Sequence, residues 1–190
     1  MPRFDDIYEI AADNYGLVTF AEAQEVGVTS VELRRFVKDG RLERLGHGVY
    51  KITRYIPTPL DHYAEATALV GPGSYIHGES VLAMHNLGLA NPEKTNVAIV
   101  KRTRKKLPGW IRLVTGNSGD GVTSYEGIPS QSVAEALRFC RGRVMKERLV
   151  DAVHDALRAG LISEEEKRSL EEELELRQWP NNRTAGEIST

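Results

Sequence analysis

Hydrophobic residues recur at helical spacing over the first forty positions and at strand spacing just after them. Ile7, Tyr8, Ile10, Ala11 and Tyr15 give residues 5–15 one apolar face, so a helix is expected there, ended by Gly16. Thr19-Phe-Ala-Glu22 has the spacing of a capping box and opens a short second helix to about Val26, broken by Gly27. Thr29-Ser-Val-Glu32 repeats that signal and opens a third helix to about Asp39, with Gly40 as its stop. Leu42–Leu45 and Val49–Ile52 read as two short strands, and Gly46-His47-Gly48 between them reads as a tight hairpin turn.

Pro57 and Pro59 mark a boundary, and the texture changes beyond it. Helices are expected over Leu60–Val70 and His77–Leu87, each closed by glycine. Asn96–Val100 and Ile111–Thr115 read as strands, and Val122–Ile128 as a strand or turn. Ser130–Cys140 and Val144–Ala159 read as helices. In the second of these Met145, Leu149, Ala152, Val153, Ala156 and Leu157 form one apolar stripe. Ser163-Glu-Glu-Glu166 caps a last acidic helix to about Leu176, and residues 181–190 read as a flexible tail. The pattern predicts an α+β chain with three parts. Residues 1–56 form a winged helix-turn-helix, since three short helices precede a two-stranded hairpin. Residues 57–180 form a mixed α/β domain with a small sheet and C-terminal helices, and the tail follows.

The net charge of −2 argues against nucleic acid only until its distribution is read. Residues 29–54 carry seven Lys/Arg against three acids, and residues 94–112 carry seven with none. Residues 164–176 hold seven Glu against Lys167 and Arg168. Beyond about 8–10 Å charges are screened at physiological salt, so local patches decide what a phosphate backbone meets. One cysteine excludes a disulfide framework. No apolar run is long enough to span a membrane, and Met1–Asp6 lacks the apolar core of a signal peptide. A reducing cytoplasm is the expected location.

The third helix carries the main chemical signal. At about 100° per residue, Leu33, Phe36 and Val37 share one face, and Val31, Arg34, Arg35 and Lys38 share the other. Such a basic face suits a phosphate-lined groove, and Arg can grip guanine bidentately. Val31 is placed to meet a thymine methyl. Thr29 and Ser30 stand at the helix N-terminus, where free N–H groups favour a phosphate. Arg41, Arg44, His47 and Lys51 follow on the turn and hairpin. These ten residues form the expected duplex-DNA site.

Val31-Glu-Leu-Arg-Arg-Phe-Val-Lys-Asp-Gly-Arg-Leu-Glu-Arg-Leu-Gly-His-Gly-Val-Tyr50 resembles the N-terminal domain of the AbiEi family, antitoxins of type IV toxin–antitoxin pairs. The resemblance continues at Ser74-Tyr-Ile-His-Gly-Glu-Ser-Val-Leu-Ala-Met-His-Asn-Leu-Gly-Leu89, Glu126-Gly-Ile-Pro-Ser-Gln-Ser132 and Asp155-Ala-Leu-Arg-Ala-Gly-Leu-Ile-Ser163. Ser130-Gln131-Ser132 is more polar than the family's usual stretch. The resemblance implies an autorepressor that binds operator inverted repeats as a homodimer or a cooperating pair. It also implies neutralisation of a nucleotidyltransferase-like toxin, without enzymatic activity, cofactor or metal. A stand-alone winged-helix regulator with a ligand- or protein-sensing second domain is the alternative.

Enzyme-like spacings are accounted for more simply. His77-Gly-Glu79 lacks the Cys-x-x-Cys of zinc deaminases. His77 and His85 lie two turns apart on one expected helix face, without a third ligand. Gly71-Pro-Gly73 and residues 116–121 lack the Gly-Lys-Ser/Thr of a phosphate loop. Glu165-Glu-Lys167 lies in a first helical turn, where acids suit the dipole. Lys101, Arg102, Arg104, Lys105 and Lys106 put five cations in six residues, a candidate second basic site. Three readings stay open for it: a solvated loop, a grip on DNA backbone, and contact with the toxin or RNA. Trp110 is the only aromatic nearby for base stacking.

Overall fold

Thr19, Thr29 and Ser163 each begin a helix as their spacing predicts. At all three the hydroxyl accepts the amide three residues on, and the carboxylate there returns the bond. The computed structural model describes residues 3–101, 103–117 and 121–175. Arg102 and residues 181–190, assigned above to the second basic site and the tail, lie outside them. The chain is mixed α and β and divides into two compact units.

The first unit comprises Met1–Ser74 and Lys101–Pro108, so it takes in the fourth helix and the basic stretch as well as residues 1–56. Its elements are α1 (Arg3–Ala12), β1 (Leu17–Thr19), α2 (Phe20–Glu25), α3 (Ser30–Lys38), β2 (Leu42–Gly46), β3 (Val49–Ile52) and α4 (Asp61–Val70). The strands run antiparallel in the order β1-β3-β2, with Val18 opposite Tyr50 and Glu43 opposite Lys51. Strand β1 has no counterpart in the sequence reading, because three residues are too few to show alternation. Ile7, Ala11, Val18, Ala23, Val28, Leu33, Leu42, Tyr50 and Ile52 make one core, with Phe36 and Val37 packed at its margin. The expected inward face of α3 is therefore the observed one.

The second unit comprises Tyr75–Val100 and Gly109–Thr190. It holds β4 (Ser74–Ile76, whose first residue closes the first unit), α5 (Glu79–Met84), β5 (Thr95–Ile99), β6 (Ile111–Thr115), β7 (Val122–Tyr125), β8 (Ile128–Gln131), α6 (Val133–Phe139), α7 (Lys146–Arg158) and α8 (Glu164–Glu173). The sheet order is β6-β5-β4-β8-β7; β5 pairs β6 and β4 pairs β8 in parallel, and β7 pairs β8 antiparallel. Helix α7 buries Leu149, Ala152, Val153 and Ala156 as its stripe predicts. Met145 departs from that stripe: it is the N-cap residue, 64% exposed, because the helix begins one residue later. Residues 130 and 131 belong to β8 rather than to the following helix, which Ser132 caps.

Gly88 shows why the segment ending in Leu-Gly-Leu89 takes its form. Its φ of 55° is left-handed, and a Cβ there would overlap the Arg148 carbonyl oxygen. Its amide donates to Asp155 Oδ2 at 3.0 Å. Only a glycine lets this turn press against α7.

Candidate nucleic-acid interface

Helix α3 displays its basic residues because its other face is committed to the core. Leu33 is fully buried, while Val31 is 66% exposed and Arg34, Arg35 and Lys38 are exposed. Arg34 Nε donates to the Ser30 carbonyl at 3.2 Å, laying the guanidinium along the first turn. Arg35 lies 3.7 Å from Asp39, an exposed pair one turn apart that contributes little to stability. The structure thus brings Val31, Arg34, Arg35 and Lys38 onto one solvent-facing surface.

The helix N-terminus is differently disposed from the expectation of free N–H groups. The Thr29 amide and hydroxyl both donate to Glu32 Oε2, at 2.9 and 2.8 Å. A carboxylate already stands at the positive end of the helix, where an incoming phosphate would meet like charge. Ser30 is exposed beside it.

The hairpin turns at His47 and Gly48. Gly48 has φ 71°, a left-handed conformation that glycine adopts without steric cost. The β2–β3 register shifts between Arg44 and Gly46, and Arg44 Nε donates to the Gly46 carbonyl at 3.1 Å. The Gly48 carbonyl accepts the Phe20 amide at 2.8 Å, tying the turn to the first residue of α2. His47 and Arg44 are exposed.

Two expected members have partners within the fold. The Lys51 ammonium contacts Asp61 Oδ2 at 2.7 Å and Glu65 Oε1 at 2.6 Å, and its side chain is 16% exposed. Burial would lower its pKa, but the bonds it donates to both carboxylates raise it overall. Its charge is satisfied within the fold. Arg41 is exposed, yet its guanidinium stacks 3.8 Å from the Phe4 ring centre and 5.8 Å from that of Phe36. This stack fastens the start of α1 to the turn after α3. Sequence reasoning missed both arrangements; the acids at 61 and 65, one helical turn apart, were the available signal.

In the basic stretch, Lys101, Arg104, Lys105 and Lys106 are exposed. Lys105 also donates its ammonium to the Leu69 carbonyl at 3.3 Å, at the end of α4. Arg104, Lys105 and Lys106 share one concavity with the hairpin residues Leu45, Gly46 and His47. Distance along the chain had concealed that neighbourhood.

The enzyme-like residues are not gathered into a reactive site. His77 precedes α5 rather than lying on it, because Gly78 is the helix cap; its buried ring stands edge-on to Phe139, 4.3 Å between centres. His85 caps the other end of α5 and packs on Tyr125, and burial lowers its pKa. Burial pushes the Cys140 thiol up to about 12, with Glu79 adding to the effect, so no thiolate nucleophile forms near neutrality. Among the described residues, no three His, Cys, Asp or Glu could hold a metal ion, and no helix is long and apolar enough to cross a membrane.

Comparisons with known proteins place residues 5–53 in a match to a family described as "Transcriptional regulator, AbiEi antitoxin". That is the family resemblance read from residues 31–50. No curated protein matches the chain. Among solved structures the chain is similar to the crystal structure of the RV2827C protein from Mycobacterium tuberculosis. The identity is 16%, over 90% of this chain and 72% of that one, with a TM-score of 0.44.

Proposed function

Taking the family match over residues 5–53 as premise, we propose that this chain is the antitoxin of a type IV toxin–antitoxin pair and represses its own operon by binding duplex DNA. We read α1 to α3 with the β2–β3 hairpin as a winged helix-turn-helix, with α3 as the recognition helix. The observation that carries the reading is the solvent face of α3, where Arg34, Arg35 and Lys38 surround the exposed Val31.

In this reading Arg34, Arg35 and Lys38 meet base edges and phosphates in the major groove, and Val31 meets a thymine methyl. Arg44 and His47 reach the flanking backbone from the hairpin, and Ser30 lies at the edge of the contact. Lys51 and Thr29 lie outside it, because internal partners hold their donors. Two copies, as a homodimer or a cooperating pair, occupy operator inverted repeats. Residues 1–56 supply DNA recognition. Residues 57–180 neutralise a nucleotidyltransferase-like toxin by binding rather than catalysis, in the cytoplasm.

A gel-shift titration with the promoter DNA of its own operon tests the first half. Arg34→Ala combined with Lys38→Ala should abolish the shift while the melting temperature holds. Undiminished binding overturns α3 as the reading element. Co-expression with the adjacent gene product tests the second half: an antitoxin restores growth, and a stand-alone regulator does not.

A further inference from the structure

Within the first unit, the hairpin turn, the end of α4 and residues 104–108 line an open cavity of about 670 Å³. Small-molecule sites commonly measure roughly 300–1,000 Å³, with an apolar body and few polar groups. The cavity has that division. Leu45, Leu69, Leu107 and Pro108 supply apolar walls, and the exposed Arg104 and Lys106 also line it. His47 lines it from the hairpin turn. None of the described residues lining it is acidic. Lys105, bonded to the Leu69 carbonyl at 3.3 Å, holds the basic segment against α4 and so keeps the wall in place.

A DNA phosphate would use the two cations but not the recessed apolar walls. An apolar molecule would use the walls and leave Arg104 and Lys106 without a counter-charge. We propose that this cavity binds an amphipathic organic anion. Its apolar body lies against Leu45, Leu69, Leu107 and Pro108, and Arg104 and Lys106 hold its phosphate or carboxylate by charge-assisted hydrogen bonds. A nucleoside phosphate and an acyl carboxylate share this chemistry. The site rests on the first unit alone and not on the reading of α3, so either assignment can fail without the other.

Isothermal titration of the full chain with adenosine triphosphate and, separately, decanoate tests it. Inorganic triphosphate and adenosine serve as the nucleotide's isolated charge and body, and acetate and decanol as those of decanoate. One of the two amphipathic anions should bind at least about tenfold more tightly than either isolated part, and which one binds identifies the source. Arg104→Ala with Lys106→Ala should weaken that binding about tenfold at unchanged melting temperature, since both side chains are exposed. Leu107→Asn should weaken it without changing the charge of the site. The proposal is overturned if neither anion binds, if inorganic triphosphate binds as tightly as the nucleotide, or if the double variant binds as well as the parent. Binding of arbitrary duplex that depends on Arg104 and Lys106, with no anion bound, would replace it with a backbone contact.

Discussion

Lys51 Nζ lies 2.7 Å from Asp61 Oδ2, so strand β3 is joined by an ion pair to the first turn of α4. Asp61 Oδ1 also takes the Thr58 amide at 2.9 Å and the Thr58 hydroxyl at 2.6 Å. One carboxylate therefore closes the turn before α4 and anchors that helix. Lys51→Met would leave Asp61 and Glu65 facing each other without their cation. It should cost about 1–3 kcal/mol, read as a lower denaturant midpoint. Operator affinity of the folded protein should stay within about twofold, since RT ln 2 is well below 1 kcal/mol.

The same carboxylate gives a pH dependence. Burial works to raise the Asp61 pKa, but the bonds from Lys51 and Thr58 hold it below its ordinary value of 3.8. Glu173 is also held low, at about 2, by the Arg138 guanidinium and the Ser169 hydroxyl. A depressed folded pKa means stability that is whole above the unfolded value and lost as pH falls through the folded one. The share of stability due to these two carboxylates should hold level from neutrality to about pH 5 and fall below about pH 4. The lowered pKa of buried His85 adds an earlier loss as pH falls below its ordinary 6.5. Asp61→Asn should flatten the part of the fall below about pH 4 that is due to Asp61, measured by urea unfolding across the range.

Salt dependence separates reading residues from fold residues. Each phosphate contact removed lowers the slope of log affinity against log salt by about 0.9. Arg44→Ala or Lys38→Ala should each lower it by roughly that amount. Lys51→Met should leave it unchanged. A slope for Lys38→Ala equal to that of the parent would mean that the solvent face of α3 does not meet the backbone.

Thr29→Ala removes the capping box of α3 and should cost about 0.5–2 kcal/mol. Thr29→Ser retains the oxygen that accepts the Glu32 amide and should restore most of it. Thermal melts of the two variants make the comparison.

Gly88→Ala should destabilise the second unit by more than about 1 kcal/mol. The new methyl meets the Arg148 carbonyl, and φ is positive. Amide hydrogen exchange should accelerate in α7 and leave α3 unchanged.

The sequence announced what is decided within four residues and missed what is decided at a distance. The boxes at Thr19, Thr29 and Ser163 are local reciprocal bonds, and all three form. The two faces of α3 followed from helical angle alone. Strands β1 and β4 are three residues each, too short for a period, and their neighbours in space hold them. Lys51 looked like a solvent cation because its partners stand ten and fourteen residues on, in a helix whose packing the pattern did not specify. The neighbourhood of Arg104 and Lys106 with the hairpin was hidden for the same reason.

The bond from the Phe20 amide to the Gly48 carbonyl has a kinetic meaning. It closes a ring through the hairpin, β1 and the start of α2, which restrains the turn before any ligand arrives. Little ordering entropy then remains for association to remove. Binding at this surface should proceed as a rigid-body encounter. Its rate should answer to charge and salt, and only weakly to loop stiffening.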